Sequence, residues 1–259
     1  MLLAIDVGNT QTVMGVIKND EIISSWRIYT PKIKTGDEIG LMLVKLMEIE
    51  EINIRDIDSA IACCVVPGVE NQLIKACRRY FDVDILLVTG EIETGMEILY
   101  KRPADVGADR IANAVAAKEI YGVPCVIVDM GTATTFDVIS SKGEYLGGVI
   151  ATGMEISANA LFRSAAKLFN VELKKPPTVI GDTTAHSIQS GIFWGFIGQV
   201  EYILKKIEKK LDQIPLLIAT GGLSRIIVKN SSYKFIHDLD LTLKGLAILY
   251  EKNRNGGRF

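Results

Sequence analysis

Histidine is almost missing from this sequence: His186 and His237 are the only two, too few for a zinc centre of the usual kind. Cysteine is scarce as well. Cys63, Cys64, Cys77 and Cys125 show no C-x-x-C spacing, and Cys63, Cys64 and Cys125 lie in apolar strand-like runs, so they read as small buried thiols. An excess of either charge is lacking, since 29 basic and 31 acidic side chains leave a net charge of -2. That balance offers little to a nucleic acid or an anionic membrane surface and points to a small-molecule partner. Long hydrophobic runs are also absent. The opening MLLAIDVGNT is broken by Asp6 after a run too short for a signal peptide, and the longest uncharged stretch, Thr183 to Val200, contains His186, Gln189, Ser190 and three glycines. A soluble cytoplasmic protein is expected, with no membrane and no nucleic-acid partner. Finally, no G-x-x-x-x-G-K-[ST] motif occurs, which argues against a P-loop nucleotide site.

What the sequence does contain is a repeat. Ala4 to Val13, AIDVGNTQTV, returns 123 positions later as Ile127 to Phe136, IVDMGTATTF, so that Asp6, Gly8 and Thr12 fall on Asp129, Gly131 and Thr135. At the same spacing Glu21 falls on Glu144, each after a turn-like triplet, and both copies read as β-hairpins. Each begins with an apolar run, Leu2 to Ile5 or Val126 to Val128, as a strand buried on both faces does. The run ends in an acid. Gly8 and Gly131 allow a tight turn and close ligand approach, and the hydroxyls of Thr10, Thr12, Thr132, Thr134 and Thr135 supply neutral donors, which together make a cradle for phosphate oxygens. An acid beside such a cradle calls for a cation between carboxylate and phosphate. One isolated Asp-x-Gly is ordinary hairpin punctuation; two in register point to function, a metal-bound polyphosphate held between two half-sites.

The pattern resembles the actin-like ATPase superfamily of sugar kinases, heat-shock ATPases and actin. That resemblance implies an α/β fold of two duplicated, ribonuclease H-like lobes, each a mixed sheet flanked by helices. A chain with 48% hydrophobic residues can bury one large core or two of roughly 120 residues each. The expected division is 1–121 and 122–259, with its boundary near Tyr121-Gly122.

Between the hairpins the elements alternate. Glu21 to Tyr29 continues as a third strand, and Thr35 with Glu38 fits a capping box that opens a helix with Ile39, Leu43, Leu46 and Met47 on one face. Ser59 to Val66 reads as a buried strand, 69–80 as a helix, 84–88 as a strand and alanine-rich 104–121 as a helix. Beyond the second hairpin, apolar periodicity predicts a helix from Met154 through Ala165 to Leu168, then a Pro176-Pro177 loop and a long helix over about 184–211. Its Gly191, Gly195 and Gly198 could admit a second subunit's helix. Leu216 to Thr220 is a further buried strand ending in Gly221-Gly222, where the superfamily resemblance implies the adenosine part and spacing alone allows a strand-to-helix turn equally well. A helix over 241–250 closes the fold, and residues 253–258 look like a frayed tail.

A second informative stretch is Tyr100 to Arg110, YKRPADVGADR. Pro103 suits a helix start, and Gly107 is a poor helix-interior residue unless something approaches it. Asp109 can accept a proton from a substrate hydroxyl while Arg110 pairs with an anionic group; alone, each could equally be a helix-turn acid and a solvated charge. Tyr100, Pro103 and Gly-Ala-Asp-Arg, followed by Asp129-Met-Gly-Thr-Ala-Thr-Thr135, closely resemble the type III pantothenate kinases. Asp6-Val-Gly-Asn-Thr10, Gly147-Gly148 and Thr184 ahead of Ser187-Ile-Gln-Ser-Gly191 agree. One departure is Asp182, which stands where the family usually has a basic residue.

The resemblance implies ATP-dependent phosphorylation of pantothenate to 4'-phosphopantothenate, the first step toward coenzyme A, by a homodimer. Carried over by position, Asp6, Val7, Gly8, Asn9, Thr10, Gln11, Thr12, Val13 and Thr132 bind ATP, and Asp129 holds a monovalent cation, potassium or ammonium. Asp6 is assigned to Mg2+, directly or through water. Asp109 is the general base. Tyr100, Gly107, Ala108, Asp109, Arg110 and Thr184 line the pantothenate pocket, Thr184 coming from the other subunit. The alternatives are another phosphotransferase of the superfamily, acting on a sugar or polyphosphate, and a non-catalytic regulatory relative.

Overall fold

The computed structural model describes residues 1–30, 35–164 and 168–254, which fall into two compact units. The first comprises Met1–Tyr121 with Asp240–Phe259, the second Gly122–Leu239.

In the first unit, β1 (Leu2–Val7), β2 (Gln11–Lys18) and β3 (Glu21–Tyr29) form an antiparallel meander, and β4 (Ser59–Cys64) and β5 (Ile85–Leu87) extend it in parallel to give the order β3-β2-β1-β4-β5. One face of the sheet, through Leu3, Ile5, Val7, Met14 and Val16, packs on α1 (Gly36–Ile49) and α2 (Val69–Phe81) by way of Ile39, Leu43, Met47, Leu73 and Cys77. The capping box forms as the sequence indicates: Glu38 N–H donates to Thr35 Oγ1 and Thr35 N–H donates to Glu38 Oε2.

The region before α3 departs from the expected helix over 104–121. Pro103–Asp105 makes a single 3-10 turn, Val106 is extended, and α3 runs Ala108–Tyr121 with the Gly107 carbonyl accepting its first bond from Ile111 N–H. Proline set the turn, and the break after it frees Gly107 to start the helix. The closing helix, placed with the second half in the sequence reading, runs Leu241–Asn253 as α7 and belongs to the first unit. Leu241, Leu243, Leu246 and Leu249 on it are fully buried, and Gly245 presses on the Ala112 carbonyl of α3 so closely that a Cβ would lie 2.0 Å from that oxygen. Asn253 is ordered by a two-way bond with the backbone of Glu93; residues 255–258 of the expected tail lie outside the described residues.

The second unit repeats the plan. β6 (Cys125–Met130), β7 (Ala133–Ile139) and β8 (Tyr145–Thr152) form the meander, and β9 (Leu216–Thr220) and β10 (Ile236–His237) extend it, in the matching order β8-β7-β6-β9-β10. Val126, Val128, Met130, Phe136 and Val138 pack on Phe193, Phe196, Ile197, Val200 and Leu204 of α5 (Thr184–Glu208). Helix α4 covers Met154–Ser164; Ala165 lies outside the described residues and Leu168 outside the helix. A short α6 (Ser224–Asn230) follows β9.

The repeat is not a constant shift. Val7 pairs with Thr12 across the first hairpin, and Met130 pairs with Thr134 across the second, so Thr12 corresponds to Thr134 and not to Thr135. The second copy has one residue fewer in its first turn. It regains that residue in the next turn: Asn19 and Asp20 with positive φ close a two-residue link, whereas Ser141, Lys142 and Gly143 (φ 80°) close a three-residue one. Even the bulge is repeated, between Val16 and Ile17 and between Val138 and Ile139. The slip cancels, which is why Glu21 and Glu144 align again.

Gly245→Ala is expected to cost about 3 kcal/mol of stability or more, because backbone cannot yield as a side-chain tip can. A urea unfolding midpoint equal to that of the unmodified chain would show that α3 and α7 do not touch there.

Candidate functional site

The first hairpin turn is held from inside. Gly8 N–H donates to the Gln11 carbonyl (3.0 Å), the Thr30 hydroxyl donates to the Gly8 carbonyl (2.8 Å), and Thr30 N–H donates to the Thr10 carbonyl (2.8 Å). Thr30 Oγ1 also meets Thr12 Oγ1 at 2.9 Å, with both side chains buried. Thr12 therefore shapes the turn from below, and Val7 is core. Asn9 and Gln11 are exposed, while Thr10 and Gly8 are half-buried at the rim.

The second turn has the same strap. Gly131 N–H donates to the Ala133 carbonyl (3.0 Å) and Gly153 N–H donates to the Thr132 carbonyl (3.2 Å), so Gly153 stands where the first copy has Thr30. A Cβ on Gly153 would lie 2.3 Å from the Thr132 carbonyl oxygen, which explains the glycine. With no hydroxyl there, the fully buried Thr134 Oγ1 has no partner. Thr132 and Thr135 stay half-buried.

The two aspartates occupy matched places. Asp6 is in register with Val13 on β2 and Cys63 on β4; Asp129 is in register with Thr135 on β7 and Thr220 on β9. Cys63 Sγ–H donates to Asp6 Oδ1 at 3.1 Å. Burial, opposed by that bond but reinforced by the negative charge of Asp109, raises the Asp6 carboxyl to about 6. Cys63 is pushed far above the usual thiol range by burial and by Asp6, so its proton stays on sulfur. Gly221, with φ 88°, brings its backbone against Asp129: a Cβ there would lie 2.5 Å from Asp129 Oδ1.

Asp109 lies in the first turn of α3, and its Oδ1 accepts from the Arg110 N–H at 2.8 Å. Gly107 is required here, since a Cβ would sit 2.6 Å from that same Oδ1. Arg110 is 7% exposed, not the solvated charge that its composition alone allows. Asp6 and Asp109 are thus close enough to repel, although 103 positions apart in sequence. Ala108 is half-buried beside them, and Tyr100 is exposed in the loop between β5 and α3.

Thr184 is in the second unit, at the first position of α5, where Thr183 Oγ1 caps the helix by accepting from His186 N–H. It lines a cavity of about 580 Å³ between α4 and α5 together with Ser187, Gly191 and Gly195. Asp182 bonds His186 Nδ1 at 2.5 Å, which holds its carboxyl below the ordinary carboxylate range. Among the described residues no group of three or more His, Cys, Asp or Glu side chains could hold a metal, and no helix is long and apolar enough to cross a membrane. Residues that the sequence reading missed at the first turn are Thr30, Cys63 and Arg27, whose Nη1 donates to Gln11 Oε1 at 3.0 Å.

A family model described as type III pantothenate kinase matches residues 2–206. Among solved structures, the chain is similar to a protein named as a conserved Baf family transcriptional activator from Campylobacter jejuni, with 19% identity, TM-score 0.60 and 98% and 99% of the two chains covered. A protein from Sinorhizobium meliloti named as a 2-dehydro-3-deoxygalactonokinase matches with 12% identity, TM-score 0.63 and coverage of 97% and 96%. The activator of 2-hydroxyisocaproyl-CoA dehydratase from Clostridium difficile, with bound ADPNP, matches with 13% identity, TM-score 0.57 and coverage of 98% and 96%. At these identities the likeness is one of fold, that of the actin-like ATPases and sugar kinases.

The raised Asp6 has a thermodynamic consequence. The native carboxyl keeps its proton to a higher pH than the unfolded one, so ionising it costs stability as pH rises from about 4 to about 6. Asp6→Asn is expected to stabilise the nucleotide-free chain in chelator by up to about 3 kcal/mol at neutral pH, with the gain disappearing below about pH 4. Denaturant unfolding across that range checks it; a gain independent of pH would contradict the assignment.

Proposed function

Since the chain belongs to the type III pantothenate kinase family, we propose that it transfers the γ-phosphoryl group of ATP to the hydroxyl of pantothenate, forming 4'-phosphopantothenate. ATP-dependent kinase activity follows from the family; the substrate and the residue roles are our reading. The observation that carries it is the convergence of Asp109, on a helix opened by Gly107, with Asp6 at a glycine turn.

Asp109 accepts the proton of the pantothenate 4'-hydroxyl as that oxygen attacks the γ-phosphorus of ATP and the bond from the γ-phosphorus to the β,γ-bridging oxygen breaks, releasing ADP. Tyr100, Gly107, Ala108 and Arg110 line the acceptor site beside it. N–H groups and hydroxyls at the rim around Gly8, Asn9, Thr10 and Thr132 bind phosphate oxygens, while Val7, Thr12 and Val13 hold the first turn in shape. Phosphoryl transfer needs alignment and charge compensation more than covalent chemistry, so this inventory suffices without a Walker lysine.

The residues present fit a cation. Asp6 is an acid made costly as an anion by burial and by a second carboxylate, both of which a bound Mg2+ would offset, and Mg2+ commonly takes one carboxylate and fills its shell with water and phosphate. When bound, it neutralises charge on the transferring group. Asp129 would hold the monovalent cation, K+ or NH4+. A homodimer supplying Thr184 from its second copy is supported by the open space over Gly191, Gly195 and Gly198, where an added Cβ meets nothing within 4 Å.

Coupled ATP turnover with and without pantothenate, each in potassium and in sodium, tests this function. Pantothenate-dependent turnover is expected in potassium, and Asp109→Asn should reduce it by about 10² or more while ATP still binds. Near-normal turnover in that variant would remove Asp109 from the mechanism; turnover only with a sugar or polyphosphate would move the substrate elsewhere.

A further inference from the structure

We propose that Arg27 is a phosphate-binding residue of the first hairpin, a role that rests on the kinase reading above. Four residues stand in one register row across β3, β2, β1 and β4: Arg27, Val13, Asp6 and Cys63. Register partners on neighbouring strands project to the same face, so Arg27 shares a face with Asp6. Its guanidinium is fixed near the turn by the bond from Nη1 to Gln11 Oε1 (3.0 Å), and its positive charge acts on the Asp6 carboxylate.

The remaining donors are available. Arg27 is exposed, and among the described residues it makes no ion pair. A guanidinium has five N–H donors in a planar fork that matches two phosphate oxygens at once. A polyphosphate arriving beside Asp6 and Asp109 meets two negative charges, and Arg27 supplies a fixed positive charge on the same face as Asp6.

The duplicate hairpin separates function from folding. Its corresponding row is Ile150, Thr135, Asp129 and Thr220, so the place of Arg27 is taken by an exposed isoleucine. The same hairpin, bulge and turn strap form there with no cation. A guanidinium is therefore not needed to build this structure, and Gln11, included in the ATP-binding set, acts by aiming Arg27.

Arg27→Gln and Arg27→Lys in the full chain, with Mg2+ present, test the proposal through equilibrium binding of a non-hydrolysable ATP analogue and of adenosine. Arg27→Gln is expected to weaken the analogue about 10- to 100-fold, the scale of a hydrogen bond to a charged group, and to leave adenosine unchanged. Arg27→Lys, keeping the charge but not the fork, should fall between. Analogue binding unchanged in Arg27→Gln, or equal losses for analogue and adenosine, would overturn the role while leaving the kinase intact. Absence of nucleotide binding by the unmodified chain would instead overturn the kinase reading together with this one. Thermal unfolding of each variant, expected to match the unmodified chain, separates lost binding from lost folding.

Discussion

A backbone N–H at a glycine closes each hairpin turn, and the placement of Asp6 and Asp129 follows from that closure. Gly8 and Gly131 bond to the carbonyls of Gln11 and Ala133, while the ends of β3 and β8 strap the turns through the carbonyls of Thr10 and Thr132. With the turn closed, the strand before it delivers its last residue but one, Asp6 or Asp129, to the end of the sheet. Burial of the apolar strand stabilises the arrangement, and the carboxylate is carried to a site it would not choose by solvation alone.

The two copies keep the frame and differ in their chemistry. Both have the same strand order, the same bulge and the same one-face packing on helices. Around the first aspartate stand a thiol donor, an arginine and a second carboxylate; the register neighbours of the second are two threonines, with an exposed isoleucine beyond. Such divergence is what a duplicated fold permits, because backbone bonds define the hairpin and leave the row of side chains at its tip free to vary.

Much of this was legible in the sequence. The apolar run, acid, glycine and threonine repeat, the Thr35–Glu38 cap and the Gly107–Asp109 adjacency are local signals, and local signals survive translation into structure. The compensating slip between turns was hidden because alignment at constant spacing succeeds at both ends of the hairpin and fails only between them. The partner of α7 was hidden for a different reason: an apolar helix announces that it will be buried, not against what. Arg27 carries no local mark within the third strand, and only its register with Asp6 across β2 and its bond to Gln11 distinguish it. Thr12 looked like a ligand donor because the sequence does not reveal that Thr30 has already engaged it.

The proposed function requires each glycine turn to bind phosphate oxygens of ATP. Amide hydrogen exchange of the segments 6–13 and 129–135, measured with and without Mg2+ and a non-hydrolysable ATP analogue, tests it most directly. Protection of both segments at the same analogue concentration is the predicted result. Protection confined to one of them, or to neither, would contradict the account.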